Sequence, residues 1–532
     1  MSQSFQFGYL SDVFVISLAS AVLGDINNDI GPSTAYSWMA TAQIISAAVL
    51  SPLVGRLGDI FGRKTFLLLG NTIGAVGCAV AATAHEVSTI IVASIFIGFG
   101  AAMHQLAWSC LAEVVPRSQR AFALGLFQVS LTPASLFAAV IGKSLVVHAS
   151  WRYCYWIPFA LDIAGLVLIV LFYHPINQFY NPERKTKFQQ FKELDWIGLF
   201  LFAAGLTLFL LGITFGGSEF PWKSAGPICM IVLGFLTLVA LGFYEAHASL
   251  EYALFPPVVL GNIRGCTMVL LTTALAGMLY YSTILLWPMM VEKLFAKDQI
   301  QVGWYCTALG AGGVLASPIC GWAFRKWGKF ARYQFTLYAM LLTACCGAQA
   351  HVGINTNISC TVLTVLLGMG LTGATLCSTT MVQLGQKHEY IGIATAMAIT
   401  ARSIGGCLAT TIYTSIIENK IGHNLVPGIA KALLGAGLSQ AELPEAIEAI
   451  VEKNAAILRT LPQSVVDAGL IAMKMAYINA FKLVYYVSIT FGILGCLAAF
   501  STAEVGHLMT EKVDIKLREG LAAKDRDTDE KK

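Results

Sequence analysis

Fourteen long apolar runs are the feature of this sequence that most limits what it can fold into. Each run has about 18 to 25 residues, enough for a helix to cross about 30 Å of hydrocarbon, and a spanning segment must satisfy its own backbone hydrogen bonds. The chain is 56% apolar and only 12% charged, which is more apolar surface than a soluble core buries. The sequence therefore predicts an all-α integral membrane protein. The predicted spans are 6–24, 36–54, 65–84, 88–111, 121–142, 153–173, 195–216, 224–244, 265–289, 302–322, 333–350, 358–380, 391–416 and 479–501.

Lysine and arginine are distributed unevenly over the connections between these runs. If the N-terminus is cytosolic, the short inner connections carry many more of these residues than the short outer ones, as the positive-inside rule requires. We therefore predict cytosolic termini and a place in the lipid bilayer, with the plasma membrane as the expected location. The net charge of +4 reflects this asymmetry and does not indicate a nucleic-acid partner.

One loop pattern occurs twice along the chain at a constant offset. The matching pairs are Pro52 with Pro318, Gly55 with Gly321, Gly62 with Gly328, and Arg63 with Lys329. Internal repeats of this kind build secondary transporters, in which two similar bundles rock around a central binding site. The repeat predicts two six-helix bundles with two helices inserted between them, and a small-molecule substrate.

The domain boundaries follow from the repeat and from breaks in composition. We predict a first bundle over 1–173, a cytosolic linker over 174–194, an inserted helix pair over 195–262, a second bundle over 263–503 and a cytosolic tail over 504–532. The second bundle contains a long outer loop, 417–478, in which residues 439–458 have an amphipathic helical pattern. This helix is either an extracellular cap or gate, or a solvated helix without a part in transport.

The first copy of the repeated loop has a specific arrangement of charges. Asp59 and Arg63 lie one helical turn apart, and the neighbouring glycines allow close backbone approach. A carboxylate there can pair with basic groups or a helix N-terminus in one conformation and release them in the other. The alternative is that these charges only orient the helix in the membrane. We interpret the following residues as a conformational latch: Gly55, Asp59, Gly62, Arg63 and Lys64, with Arg325 in place of the carboxylate in the second copy.

The same loop carries a resemblance to a known superfamily. Gly55-x-Leu57-x-Asp59-x-x-Gly62-Arg63-Lys64 resembles the signature loop of the major facilitator superfamily, and the fourteen predicted spans resemble its drug-proton antiporter branch. More narrowly, the chain resembles the fungal trichothecene efflux pumps and their siderophore-transporter relatives. The segments that carry this likeness are Asn28–Ser33, Trp151–Ile157, Phe172–Pro175, Leu194–Gly198 and Ala401–Gly406.

The resemblance implies a major facilitator fold and secondary active transport, generally coupled to protons. It implies export of toxins and other amphiphilic small molecules, with uptake of ferric siderophores as the alternative. Two antiporter motifs are changed. Ser94 stands where many drug-proton antiporters have an arginine, and the fifth-span motif keeps only Pro133. The resemblance therefore implies proton coupling less directly than it implies the fold.

Ionisable groups inside the predicted spans are the candidates for a substrate or proton pathway, because a charge at mid-membrane needs a partner or a water-filled cavity. Arg402 either holds an anionic substrate group or is a structural charge bonded to carbonyls. Asp162, in the sixth span, is a possible proton carrier, although that span is usually peripheral in the superfamily.

Further candidates lie in the fourth and ninth spans. Histidine titrates near neutral pH, so His104 is a possible carrier of the coupling proton, or else it donates to a backbone carbonyl. Gln105 and Trp108 are its neighbours in the span. Tyr280 and Tyr281 are either cavity aromatics or ordinary packing residues.

Enzymatic and metal-dependent activities find no support in the sequence. The chain has no Cys-x-x-Cys pair, no His-Glu-x-x-His motif and no paired catalytic side chains within its spans. We predict no catalytic centre, metal or cofactor. A membrane sensor that no longer transports is the remaining alternative from another class.

Overall fold

The computed structural model describes most of the residues of the chain. Its backbone is almost wholly helical, and these residues contain no β-strand. Twelve of the helices are long and apolar enough to cross a membrane. The described residues are 6–173, 189, 192–216, 220–248, 253–255, 257–296, 298–386, 390–440, 442–452 and 461–510.

The helices are numbered here in chain order. They are α1 (Gln6–Ile30), α2 (Trp38–Phe61), α3 (Arg63–Ala82), α4 (Val87–His104), α5 (Leu106–Val114), α6 (Arg120–Ser130), α7 (Thr132–His148), α8 (Tyr153–Phe172), α9 (Trp196–Phe215), α10 (Ala225–His247), α11 (Pro257–Gly261), α12 (Met268–Met290), α13 (Gln299–Lys326), α14 (Ala331–Ala348), α15 (Asn357–Leu384), α16 (Ile391–Gly435), α17 (Leu443–Glu452) and α18 (Gln463–Phe500).

Two predicted spans differ from the twelve but are helical as well. The span at 121–142 is divided into α6 and α7 at Leu131, and α7 has proline in its first two positions, where a missing N–H costs least. The span at 333–350 is α14, whose polar first turns lower its mean hydropathy. The predicted all-α membrane fold is thus confirmed, and the count of about fourteen spans is consistent with it.

The two predicted halves pack against each other along two lines of contact. In the first seam α2 contacts α16. There the Thr400 hydroxyl donates to the carbonyl of Ala48 at 3.1 Å, and a Cβ atom on Gly55 would lie 2.7 Å from the Cβ of Ala396. Small residues therefore let these two helices approach with their backbones nearly in contact.

In the second seam α6 and α7 contact α13, and the packing is again between backbones. A Cβ atom on Gly125 would lie 2.6 Å from the carbonyl oxygen of Ser317, and one on Gly321 would lie 2.8 Å from that of Ala121. Small residues therefore let α13 approach α6 closely as well.

The inserted helices α9 and α10 pack together, and α9 lies against the first seam. The rings of Trp38 and Phe215 are 4.7 Å apart, which joins α9 to the start of α2. Leu199 and Phe202 of α9 share one apolar core with Ile393 of α16. The inserted pair therefore shields one side of the contact between the halves.

The predicted outer loop 417–478 contains more helix than expected. α16 continues to Gly435 and α18 begins at Gln463, so the helices do not end where the apolar runs end. Charged residues lower the hydropathy after residue 416, yet many of them are good helix formers. Apolar side chains also recur every four residues there and keep one face apolar: Ile421, Leu425, Ile429 and Leu433.

That apolar face builds a small separate core with α17 and the start of α18. Ile429, Leu433 and Ile450 are fully buried in it. The predicted helix over 439–458 corresponds to α17, and its Ile450 is the buried anchor. We call this unit the satellite core.

A short segment after α18, residues 501–510, folds back across the end of the bundle, and we call it the C-terminal strap. The Ala503 N–H donates to the carbonyl of Arg264 at 2.8 Å, and the Ser118 N–H donates to the carbonyl of Thr510 at 3.0 Å. The strap thus links both halves. Most of the predicted linker and the tail beyond residue 510 lie outside the described residues.

Candidate functional site

The repeated loop places a carboxylate between the two halves. Asp59, near the end of α2, forms an ion pair with Arg63 at 2.9 Å, and its second oxygen accepts from the backbone N–H of Ile393 at 3.0 Å. That N–H lies in the first turn of α16, where backbone donors have no partner within the helix and the dipole favours an anion. Asp59 therefore joins the first half to the N-terminus of a helix in the second half.

Arg63 extends this network within the first half. Its terminal nitrogen also contacts Glu113 of α5 at 2.7 Å, and the side chains of Asp59 and Arg63 are only 5% and 6% exposed. Gly62, directly before Arg63, has a φ of 98°, a conformation that favours glycine. Lys64 is half-buried and forms no ion pair with the described residues.

A glycine at the start of α16 makes room for the Asp59 carboxylate. A Cβ atom on Gly392 would lie 2.1 Å from an oxygen of Asp59, so a larger residue there would displace the carboxylate. Gly55, also in the predicted latch, is the close-approach residue of the first seam. The predicted latch residues are therefore brought together, apart from Lys64 and Arg325.

The second copy of the loop is arranged differently. Arg325, at the position equivalent to Asp59, is exposed, and its guanidinium lies 6.0 Å from the centre of the Phe122 ring. It forms no ion pair with a described carboxylate.

A group of buried polar side chains lies inside the first half. His104 Nδ1 is 3.1 Å from an oxygen of Asp12, which joins α4 to α1, and the two residues are 1% and 6% exposed. α4 ends at His104 and α5 begins at Leu106, so the helix is interrupted beside this histidine.

Asp162 and Asn71 reach the same place from α8 and α3. A Cβ atom on Gly74 would lie 2.8 Å from an oxygen of Asp162 and 3.6 Å from Cε1 of His104, and one on Gly8 would lie 2.6 Å from the His104 ring and 2.9 Å from the Asn71 oxygen. The space for this group thus depends on glycines of the surrounding helices.

Each member of this group keeps a buried polar atom without a hydrogen-bond partner among the described residues: Asp12 Oδ2, Asn71 Oδ1, His104 Nε2 and Asp162 Oδ1. Such atoms are costly in an apolar interior. Four such atoms lie together in this part of the first half. We call Asp12, Asn71, His104 and Asp162 the buried polar cluster.

Gln105 is the residue between α4 and α5. Its side-chain oxygen accepts from the Ser51 hydroxyl at 2.6 Å. The space beside them, bounded by Ala396 of the second half, measures about 10 Å³, which is about one water molecule. The first seam is therefore closed at this level.

An arginine and three tyrosines meet between the halves. Arg402 of α16 lies close to the side chains of Tyr9, Tyr280 and Tyr281, and the rings of Tyr280 and Tyr281 are 4.9 Å apart. Tyr9 also meets the Trp108 ring edge-on at 5.9 Å.

This guanidinium has no carboxylate partner among the described residues, and its buried Nε makes no hydrogen bond there. Arg402 and the three tyrosines are nevertheless each partly exposed. We call Tyr9, Trp108, Tyr280, Tyr281 and Arg402 the aromatic-arginine cluster.

Sequence reasoning missed four residues that complete these arrangements: Tyr9, Asp12, Asn71 and Glu113. Asp12 had a usable signal, because an acidic residue inside a predicted span is a functional candidate by default. Glu113 lies just beyond the predicted fourth span and was not considered. Asn71 and Tyr9 carried no signal beyond their polarity. Among the described residues, no group of three or more His, Cys, Asp or Glu side chains is placed to hold a metal ion.

Two packed halves of spanning helices, with a loop carboxylate on the seam between them, define a transporter of the major facilitator superfamily. Two solved structures share the fold. The proton:xylose symporter XylE aligns over 96% of this chain and 98% of its own, with a TM-score of 0.56 and 11% identity. The human organic anion transporter MFSD10 aligns over 92% and 98%, with a TM-score of 0.55 and 13% identity.

The chain belongs to the fungal trichothecene efflux pump (TRI12) family, whose model matches residues 2–531. It is 26% identical to the trichothecene efflux pump TRI12 of Fusarium sporotrichioides, over 97% of this chain and 87% of the relative. It is 25% identical to the MFS-type transporter prx5 of Penicillium rubens, over 96% and 92%. The relatives are membrane transporters, and most are named as efflux pumps, so the chain is placed among exporters.

Proposed function

We propose that the protein is a proton-coupled exporter of amphiphilic small molecules, of the toxin class named for its relatives. The observation that carries the proton coupling is the contact of 3.1 Å between His104 and Asp12. Asp162 lies near the same histidine, because both side chains are next to Gly74. An imidazole that is buried beside carboxylates can gain or lose a proton near physiological pH, and its surroundings decide which form is favoured. Binding one proton there alters the net charge of a deeply buried site, which is the kind of change that favours one packing over another.

The aromatic-arginine cluster is the proposed substrate site. Aromatic faces bind the apolar body of an amphiphile, while Arg402 and the tyrosine hydroxyls donate to its oxygen atoms. Arg402 without a carboxylate partner suits a substrate group that is anionic or accepts several hydrogen bonds.

Two helices connect the proposed proton and substrate sites. α1 carries Asp12 and, one turn earlier, Tyr9. The chain of α4 and α5 carries His104 and, one turn later, Trp108. A shift of either helix on protonation would therefore move one wall of the substrate site. This gives a direct physical route for coupling.

The latch supplies the proposed control of access. With Asp59 bound to the first turn of α16, the first seam is closed at that end. We propose that this end faces the cytosol of a plasma-membrane protein and that the Asp59 contact is released when the halves open inward.

The test is transport in yeast that lacks its own pumps, with a labelled trichothecene and a labelled ferric siderophore side by side. We expect the cells to lose the trichothecene in a manner that a proton uncoupler abolishes. Accumulation of the siderophore complex would instead establish the alternative uptake function, and no flux of either would contradict the proposal.

Reconstituted protein separates coupling from binding. In His104→Gln, exchange of labelled for unlabelled substrate should continue, whereas transport driven by a pH gradient should be lost. His351→Gln, which changes an exposed histidine, is the matched control and should keep both activities. Equal loss of exchange and driven transport in His104→Gln would argue for a structural role of His104.

A further inference from the structure

A hollow of about 330 Å³ opens at the end of the second half, away from the proposed substrate and proton sites. It lies where the start of α12, the start of α14 and the end of α18 meet, next to the C-terminal strap. Its lining residues are Arg264, Met268, Arg332, Phe500 and Ser501. The sites described above use none of them.

Two arginines give this hollow a positive charge. Arg264 Nε donates to the carbonyl of Ser501 at 3.2 Å. A terminal nitrogen of Arg332 donates to the Tyr333 hydroxyl at 2.8 Å, and its guanidinium lies 5.3 Å from the centre of the Phe500 ring. These contacts hold both side chains in place, and most of the five N–H donors of each arginine have no partner among the described residues.

No carboxylate neutralises these arginines among the described residues. The acid of the adjacent strap, Glu504, is directed elsewhere, because its side chain accepts from the backbone N–H of Ala331 at 2.9 Å. Arg332 also keeps a buried Nε atom without a hydrogen-bond partner in this part of the chain. The hollow therefore contains two cations that are held in place and that have donors available to an anion.

The surroundings of the hollow are those of a membrane boundary. Phe330, Tyr333 and Phe500 are each at least half exposed. Exposed aromatic side chains of this kind are common at the level of the lipid headgroups. One turn further along the same helices, Leu337 and Leu497 are 62% and 61% exposed and face outward. A molecule held in the hollow thus has an apolar surface directly beside it.

We propose that this hollow binds the phosphate headgroup of an anionic membrane lipid. Arginine suits phosphate because its planar donors match the phosphate oxygens, and basic pockets between membrane helices bind anionic headgroups. The acyl chains lie along the outward faces of α14 and α18, over Leu337 and Leu497. A soluble phosphate would use the two arginines but would gain nothing from these leucines.

Native mass spectrometry of the purified full-length protein tests the proposal. The protein in detergent is titrated with phosphatidylserine and, separately, with phosphatidylcholine. We expect one tightly held phosphatidylserine that the double variant Arg264→Gln/Arg332→Gln binds at least about tenfold more weakly, because two cations near the headgroup are removed. Binding of phosphatidylcholine should not change.

The matched control is Lys326→Gln/Lys329→Gln, which removes the same charge from the same end but outside the hollow. An equal loss in this control would overturn the site, since general surface charge would then account for binding. Displacement of phosphatidylserine by millimolar inorganic phosphate would overturn the lipid assignment in favour of a soluble anion.

A second variant keeps the test decisive if loss of both arginines prevents folding. Met268→Glu leaves both arginines in place and adds a carboxylate to the lining of the hollow. It should weaken binding of phosphatidylserine at least about tenfold by repelling the phosphate and occupying the arginines. Unchanged binding in Met268→Glu would overturn the proposal.

Discussion

The two copies of the repeated loop hold the halves together by different physical means. In the first copy Asp59 bridges Arg63 and the backbone N–H of Ile393 across the first seam. In the second copy Arg325 is exposed, and the second seam relies on backbone packing at Gly125 and Gly321. The first seam also has close backbone packing, at Gly55 against Ala396, but it adds a charge-assisted contact that a change of partners can make or break. This difference supports the proposal that the Asp59 contact is released when the halves open inward.

The largest expected effect comes from removing the charge of the first copy. Asp59→Asn keeps the shape of the side chain but loses the ion pair with Arg63 and the attraction to the start of α16. Since hydrogen bonds to charged groups contribute about 1.5–3 kcal/mol, we expect transport to fall about tenfold or more, measured as flux per molecule at the cell surface.

Arg325→Gln is the matched change in the second copy. It should leave flux within about twofold of the parent, because Arg325 forms no ion pair with the described residues and an exposed charge contributes little. Similar losses in both variants would remove the distinction between the two copies.

Exchanging the basic residues of the two copies sharpens the comparison. Arg63 contacts both Asp59 and Glu113, and lysine cannot reproduce the planar donor geometry of arginine. Arg63→Lys should therefore lower flux by about three- to tenfold. Lys329→Arg, at the equivalent exposed position, should have no effect on flux, and a comparable loss there would contradict our reading of Arg63.

The second seam should respond in stability. In Gly125→Ala the added Cβ would lie 2.6 Å from the Ser317 carbonyl oxygen, which backbone atoms cannot easily avoid. Overpacking of this kind costs about 1–3 kcal/mol, so the thermal unfolding midpoint in detergent should fall. Gly428→Ala, where nothing lies within 4 Å of the added atom, serves as the control and should not lower the midpoint.

The smallest effect is expected outside both copies, in the helical extension of α16. Gly422 has nothing within 4 Å of an added Cβ, so Gly422→Ala should stabilise this helix by about 0.5–1 kcal/mol. Amide hydrogen exchange around residue 422 should slow by a few-fold while flux stays the same. Faster exchange would show that the glycine has a role in the helix that the packing does not reveal.

The spans and the fold could be predicted from the sequence because the bilayer demands long apolar helices, and their composition records that demand directly. Helix ends could not be predicted in this way. Beyond residue 416 the membrane no longer sets the composition, yet packing against Ile450 and Met473 in the satellite core keeps α16 helical. Local hydropathy contains no information on that packing.

The candidate site was predictable residue by residue but not as an arrangement. His104 and Asp162 stood out as ionisable groups inside spans, and the structure brings them together through Gly74. Their distance along the chain gave no reason to pair them. The pairing of Asp12 with His104 depends on how α1 packs against α4, and the contact of Asp59 with Ile393 depends on how the two halves dock.

The length of α16 has a practical consequence for imaging. Its 45 residues correspond to a length along the helix of about 67 Å at 1.5 Å per residue, more than twice the thickness of the hydrocarbon layer. The satellite core therefore projects from one face of a protein that is otherwise hidden in a micelle or nanodisc. Such a projection breaks the pseudosymmetry of the two halves and marks which way up each particle lies. We expect it to serve as an alignment landmark in electron cryomicroscopy without an added antibody fragment.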